Sequence, residues 1–309
     1  MKSSIETRLL TGDAQGIAQA VAALAEGDAV ALPTETVYGL AARALDARAC
    51  AGIFEAKQRP LHDPLIVHIP SLDWLSKIAE VSPEAILLAE RHWPGPLTLI
   101  LKKRDCIPDI VTAGQETVAV RMSAHPLFSQ VITALGEPLA APSANRFGRI
   151  SPTCAAHVVE ELGGRIGFIL DGGNCSHGIE STIYHVAEKR ILRPGPIGPK
   201  ELGTALTSGE GKNTTVVPGS LPGHYAPKTK LTIVGENFRM PPSTKRVGCL
   251  QWRGGMPQNP EFAAVEILSP SGDLREAAGN TYIYFRVNQN TLCRSFHKHF
   301  WQFPFFLNL

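Results

Sequence analysis

Between residues 10 and 200, short apolar runs alternate with stretches of helical period, and each run is closed by a residue that turns or breaks the chain. Residues 29–32 stop at Pro33, residues 65–69 lie between Pro64 and Pro70, and residues 97–101 follow Pro96. Residues 118–121, 139–141 and 168–170 each run into a polar or glycine-containing turn. Runs this short and apolar read as buried strands. The segments between them read as helices. Ile17, Val21 and Leu24 recur at helical spacing, behind an Asp13 able to cap the first turn and ahead of a terminating Gly27. Residues 46–57 open at Asp46 and finish on Lys57, a cation of the sign favoured at a helix C-terminus. Strands alternating with helices predict an α/β layer structure. Spacing alone leaves the strand order open.

At 309 residues the chain is too long for one ordinary core and is expected to form two domains. Pro194 to Pro199 opens a turn-rich stretch, and Pro218-Gly219-Ser220-Leu221-Pro222-Gly223 opens a second, read as a linker. A β-like start at residues 231–235 then marks a smaller C-terminal α/β domain. The expected boundaries are a first α/β domain over 10–205, a linker over 206–230, a partial C-terminal domain over 231–281 and a tail over 282–309. That tail holds nine of the chain's 21 aromatic residues and no Asp or Glu, and the helical pattern begun at Asp273 fades there. No regular period supports an amphipathic helix within it. It is therefore expected to be foreign to the domain, as an out-of-frame stretch would be, and to leave the second domain incomplete.

Hydrophobic residues make up 44 % of the chain and charged residues 19 %, an ordinary globular balance. A formal net charge of +2 is small for a dedicated nucleic-acid binder, although a local basic cleft is compatible with it. Six scattered cysteines without a CxxC pair argue against a zinc ribbon or a disulfide scaffold, and no protein-held metal is expected. The first residues lack the apolar segment of a secretory signal, and no run approaches the ~18 apolar residues of a membrane span. A cytoplasmic protein without membrane contact is expected.

Chemistry-bearing residues gather in four places. Pro33-Thr34-Glu35-Thr36-Val37-Tyr38-Gly39-Leu40 puts hydroxyls, a carboxylate and a phenol in a turn after a buried strand, where ligands commonly bind in α/β sheets. A threonine-rich turn with a solvated Glu35 is the plainer reading. Lys57 and Arg59 stand together at a helix end, followed by His62, Asp63 and, on the next strand, His68. Two such cations repel unless an anion or solvent compensates, and an Arg fork beside a flexible Lys suits phosphate or carboxylate. At ~4 Å and an effective dielectric near 20, one cation–phosphate pair is worth roughly 4 kcal/mol before desolvation. Residues 141–153 bring Ser143, Asn145, Arg146, Arg149 and Ser151 into a loop able to turn N–H groups toward phosphate oxygens. Asp171-Gly172-Gly173, residues 178–183 and Arg193-Pro194-Gly195 complete the set. No P-loop, no GxGxxG fingerprint and no GxSxG nucleophile elbow occurs, so the pattern points to anion binding without those devices.

Taken in order, PTETVYGL (33–40), KQRP and PL (57–65), PSAN (142–145), GIEST (178–182) and ILRPG (191–195) resemble the YrdC family of threonylcarbamoyl-AMP synthases. PGSLPGHYAP (218–227) resembles the linker of the family's long two-domain form, so the likeness covers roughly residues 10–235. It implies an α/β domain with a twisted mixed sheet, helices and a basic-lined cavity, plus a smaller Rossmann-like C-terminal domain. It also implies the reaction: L-threonine, bicarbonate and ATP give L-threonylcarbamoyl-AMP and pyrophosphate, with Mg2+ on the ATP. Partner transferase proteins then modify tRNA. By the resemblance, Thr36, His68, Arg121, Ala141 and Ser181 line the threonine end. Lys57, Arg59, Asp63, Thr117, Ser143, Asn145, Ser151 and Arg193 hold the nucleotide, with Lys57 and Arg59 as the catalytic cations. Tyr225 belongs to a gating linker over the cavity. Asp63 departs from the pattern, since many relatives carry Asn there. An acid at that place repels a triphosphate unless it binds magnesium or turns away. The main rival is an RNA-binding module of the same fold, taking tRNA or double-stranded RNA without catalysis. Carbamoyl transfer as in hydrogenase maturation is a second rival, but its acylphosphatase and zinc-finger modules are not visible in the sequence.

Overall fold

The computed structural model describes residues 5–203, 215–219, 230–234, 247–253, 262–290 and 295–299. The first unit runs β1 (Arg8–Leu10), α1 (Ala14–Glu26), β2 (Val30–Leu32), β3 (Gly39–Arg43), α2 (Ala47–Lys57), β4 (Ile66–His68), α3 (Leu75–Ile78) and α4 (Pro83–His92). It continues with β5 (Leu97–Lys102), α5 (Asp109–Thr112), β6 (Thr117–Arg121), α6 (Pro126–Leu135), β7 (Leu139–Ala140), α7 (Ala155–Leu162), β8 (Phe168–Leu170), β9 (Thr182–His185) and β10 (Arg190–Arg193). Local chemistry starts and stops the helices. The Asp13 carboxylate accepts from the Gly16 N–H at 2.8 Å to cap α1, and Gly27 ends it at φ 96°, a conformation glycine adopts without penalty. Asp46 caps α2 by accepting from the N–H groups of Arg48 and Ala49. Two strands escape the periodicity argument: β1 is three residues long with two exposed, and β3 carries no β-branched residue.

The ten strands form one mixed sheet in the order β1-β8-β2-β3-β7-β4-β6-β5-β9-β10. Alternation along each strand sorts its side chains onto two faces. One face carries Leu40, Ala42, Val67, Leu99, Val118, Val120 and Tyr184, and packs against Ile53 and Phe54 of α2 and Val158 and Leu162 of α7. The opposite face is helix-covered at one end, where Val30, Leu32, Ala41 and Leu139 meet Ala20 and Leu24 of α1 and Phe128, Val131 and Ile132 of α6. Further along that face, Ile66, Ile100, Ala119 and Ile183 are capped by Val217 of the segment 215–219. Burying a valine this fully is worth roughly 1.5–3 kcal/mol. Gln115 fastens the segment: its amide donates to Val216 O and accepts from the Val216 N–H, both at 2.9 Å. Between the helices and this cap, part of the face stays open.

The second unit comprises β11 (Lys230–Val234), β12 (Val247–Gln251), β13 (Ala264–Ile267), α8 (Leu274–Asn290) and β14 (Ser295–His299). Its four strands are parallel, in the order β11-β14-β12-β13. The helix does not stop at the boundary expected after residue 281. Thr281 and Tyr282 are buried inside it, and Tyr282 packs with Val37 and Ile150 of the first unit. The same cluster contains Leu250, Leu268 and Ala277 of the second unit. Residues 295–299, also inside the expected tail, form β14 between β11 and β12.

Candidate active site

A recess opens on the uncovered part of the face. Its lining comes from distant parts of the chain: Thr34, Thr36 and Gly39 of the 33–40 stretch, Ile66 and His68 of β4, Arg121 of β6, and Ala141 and Ser143 after β7. Val37, Pro142, Arg59, Glu180, Arg193 and Pro218 complete it. Residues two apart on one strand, such as Ile66 and His68, share this face. The site lies on this face at strand ends, as the sequence placed it: His68, Arg121 and Arg193 each close a strand and Gly39 opens one.

Arg121 is the centre of the arrangement. Thr34 first shapes the turn beside it: its hydroxyl donates to Val37 O at 2.6 Å and accepts from the N–H groups of Thr36 and Val37 at 3.1 and 3.2 Å. That turn sends Glu35 inward. The Arg121 guanidinium donates to Glu35 Oε1 at 2.5 Å, to Thr36 Oγ1 at 2.8 Å and to Gly95 O at 3.2 Å. Ser123 donates to the other Glu35 oxygen at 2.5 Å. Burial alone pushes the Glu35 carboxyl up, but the Arg121 charge and the hydrogen bonds from Ser123 and Arg121 outweigh it and hold the pKa at about 2. A guanidinium has five N–H groups, so two of Arg121's remain for an acid bound in the recess.

His68 stands beside it, fully buried, its ring centroid 4.7 Å from that of Phe128. Burial, reinforced by the Arg121 charge and opposed by Glu35, pushes its pKa down to about 3. Its Nδ1 has no hydrogen-bond partner among the described residues. A neutral imidazole of this kind offers a bound ligand one acceptor or one donor.

On the other side, Arg193 ties three segments together. Its guanidinium donates to Ser181 O at 3.1 Å, Ser181 Oγ at 3.0 Å and Pro218 O at 3.0 Å. Ser181 also shares a 2.8 Å hydrogen bond with Thr98. Glu180, between the two arginine-rich sides of the recess, accepts from Ser151 at 2.7 Å and lies 3.8 Å from Arg193.

The remaining expected residues take other places. Lys57 does not line the recess: it is buried behind it, and its ammonium donates to Ser143 O and Asn145 O, so it supports the PSAN loop. Burial, followed by the Arg59 charge, pushes its pKa well down. Arg59 lines the recess, and its charge is met from below by Asp63 at 2.9 Å, with Asp63 O and Pro64 O accepting at 3.0 and 2.7 Å. Asp63 is thus turned away from the recess, buried under Arg59. Asn145 donates to Arg146 O and Arg149 O, stapling its own loop. Thr117 opens β6, four residues from Arg121, and Val217 sits over Ala119 between them, so it is outside the lining. Tyr225 lies outside the described residues. Among the described residues no group of three or more His, Cys, Asp or Glu could hold a metal ion, and no helix is long and apolar enough to cross a membrane.

The family model Sua5_yciO_yrdC, described as telomere recombination, matches residues 22–195. The chain belongs to the Sua5/YrdC family. Within it, the chain is 45 % identical over 220 residues to a threonylcarbamoyl-AMP synthase of Pyrococcus abyssi, a match covering 68 % of this chain and 65 % of that protein. It is 46 % identical over 242 residues to the enzyme of the same name from Bacillus subtilis, covering 74 % and 69 %. The chain thus spans about two thirds of the length of these Sua5/YrdC relatives. The crystal structure of P. abyssi Sua5 complexed with L-threonine superposes with a TM-score of 0.86 at 35 % identity, covering 96 % of this chain and 93 % of that one. Family motifs also contain the residues that the sequence reading left without a role: Thr34 and Glu35 in PTETVYGL, and Glu180 in GIEST. Their position inside quoted motifs was the available signal. Ser123 belongs to no motif and had none.

Proposed function

We propose that this chain is a threonylcarbamoyl-AMP synthase, a nucleotidyltransferase that joins L-threonine, bicarbonate and ATP into L-threonylcarbamoyl-AMP, with release of pyrophosphate and water. The observation that carries the reading is Arg121. It is buried, oriented by Glu35, flanked by Thr36 and His68, and retains two N–H groups for a carboxylate in the recess. Relatives bearing this enzyme name, and the likeness to a structure holding L-threonine, support it.

The chemistry follows from charge. A threonine carbamate is an anion and must attack the α-phosphorus of an anionic nucleotide, so like-charge repulsion is the main barrier. Arg121 holds the amino-acid carboxylate, and neutral His68 supplies a contact for a substrate hydroxyl or amine without adding a second positive charge there. Arg59 and Arg193, across the recess, offset the phosphates, while the PSAN backbone borne on Lys57 faces them. Catalysis is then neutralisation and positioning, with no covalent nucleophile. Magnesium fits as an ion carried on the phosphates, with Glu180 as the lining carboxylate able to meet it; Asp63 is occupied with Arg59. Bound there, the ion draws charge from the phosphoryl oxygens.

The product would pass to partner transferase proteins that modify tRNA in the cytoplasm. The rival reading as an RNA-binding module gains no support from this geometry, because the recess arginines are gathered in one recess, held by Glu35 and Ser181, rather than spread along a surface. Pyrophosphate release with ATP, Mg2+ and bicarbonate, measured with and without L-threonine, tests the proposal. Release that does not depend on threonine, or that survives chelation of magnesium, counts against it.

A further inference from the structure

We infer that α8, an element of the second unit, is a positioning device for Arg121 in the first. The inference rests on the reading of Arg121 as the group that meets the substrate carboxylate. At Gly178, where φ is 64°, a Cβ would stand 2.5 Å from Gly279 O and 2.6 Å from Gly279 Cα. The two backbones therefore meet with no side chain between them. The two residues before Gly178 grip the main chain of Glu35: its carbonyl accepts from the His177 N–H at 2.9 Å and from the Ser176 hydroxyl at 3.3 Å. The Glu35 carboxylate in turn holds Arg121. Alongside, Val37 and Ile150 share a buried cluster with Leu250, Leu268, Ala277 and Tyr282 of the second unit. The helix is thus fixed on the same turn that carries Glu35. Every link from α8 to the guanidinium is a direct contact, so a displaced helix displaces the arginine.

A Cβ at Gly279 would meet His177 O at 3.8 Å and Ser176 O at 4.0 Å, ordinary contacts that place a longer side chain against the backbone of residues 176 and 177. Gly279→Leu is expected to raise KM for L-threonine by about tenfold, while kcat and KM for ATP change less than about threefold. Gly279→Ala is expected to move the threonine KM by less than about threefold, since its contacts stay ordinary. Hydrogen exchange supplies a readout that needs no turnover: in Gly279→Leu the His177 amide should lose protection while the strands keep theirs. An unchanged threonine KM in folded Gly279→Leu overturns the inference. So does an equal rise in the ATP KM, or a raised threonine KM with the His177 amide still protected. If Gly279→Leu melts below the assay temperature, Gly279→Val applies the same comparison with a smaller wedge. Absence of threonine-dependent turnover in the unmodified chain counts against the activity, whereas unchanged His177 protection in the variant counts against this route, so the two failures are distinguishable.

Discussion

Glu35 and Arg121, 86 positions apart in the chain, form an ion pair of 2.5 Å with side chains only 8 % and 4 % exposed. The pair joins the turn after β2 to the end of β6, and so fixes the Arg121 guanidinium relative to the rest of the recess. Removing one member of such a buried pair strands the other charge, at a cost of about 3–5 kcal/mol. Glu35→Ala should lower stability on that scale in denaturant melts. Glu35→Gln keeps the shape and two hydrogen-bonding atoms, and should raise the threonine KM by roughly 10- to 100-fold with a much smaller effect on the ATP KM. Equal changes in both constants would remove Glu35 from the threonine end.

Lys57 invites a different expectation from an exposed catalytic cation. Its ammonium is buried against two loop carbonyls. Lys57→Met should therefore cost about 2–4 kcal/mol of stability through the unsatisfied carbonyls, alongside any loss of activity. Thermal melts beside rate measurements check this. A variant that is inactive yet melts like the parent would place the ammonium in the chemistry rather than in the loop.

Asp63 should behave as Arg59's counter-charge. Asp63→Ala leaves a buried guanidinium short of its anion and should destabilise by about 3–5 kcal/mol. Asp63→Asn keeps an acceptor and should cost less than half of that, while lowering the ATP KM severalfold because one negative charge is gone. Chemical denaturation with ATP titrations tests both parts, and a higher ATP KM in Asp63→Asn would contradict the second.

The buried imidazole of His68 couples stability to pH. Its folded pKa of about 3 lies below the unfolded value of 6.5, so between those values the unfolded chain binds more protons than the folded one. Stability is then complete above about pH 6.5 and falls as the pH drops toward 3, by up to about 1.4 kcal/mol per pH unit from this group. Between about pH 7 and pH 5, the parent should lose more stability than His68→Phe in paired urea melts. Parallel pH slopes would show that the imidazole is not held neutral.

The part of this site legible in the sequence was the part carried by local motifs. His68, Arg121 and Arg193, each the last residue of a strand inside a recognisable stretch, line one recess, whereas Ser181 is not in the lining and bonds to Thr98 and Arg193. The role of Glu35 was not legible, since its partner is 86 positions away and a carboxylate in a threonine-rich turn looks solvated. Asp63 looked misplaced beside a nucleotide for a similar reason: only the buried contact with Arg59 shows that it faces away. Alternation told which side chains share a face, but not which face α1 and α6 would leave open. The buried Tyr282 was read as part of a tail because most of its cluster lies far away in sequence, with Val37 and Ile150 of the first unit and Leu250 and Leu268 of its own.

The strand order also governs how the molecule is made. Among the described residues β1 pairs only with β8, at Arg8↔Phe168, and β8 in turn separates β1 from β2. At ~5–20 residues per second, the ribosome needs roughly 8–30 s after β1 to deliver its neighbour. Throughout that interval β2 has one edge bare, and the apolar residues of α1 have no finished floor. Newborn chains should therefore depend on holding chaperones until residue 170 has emerged, and should reach the native state faster once that neighbour is present.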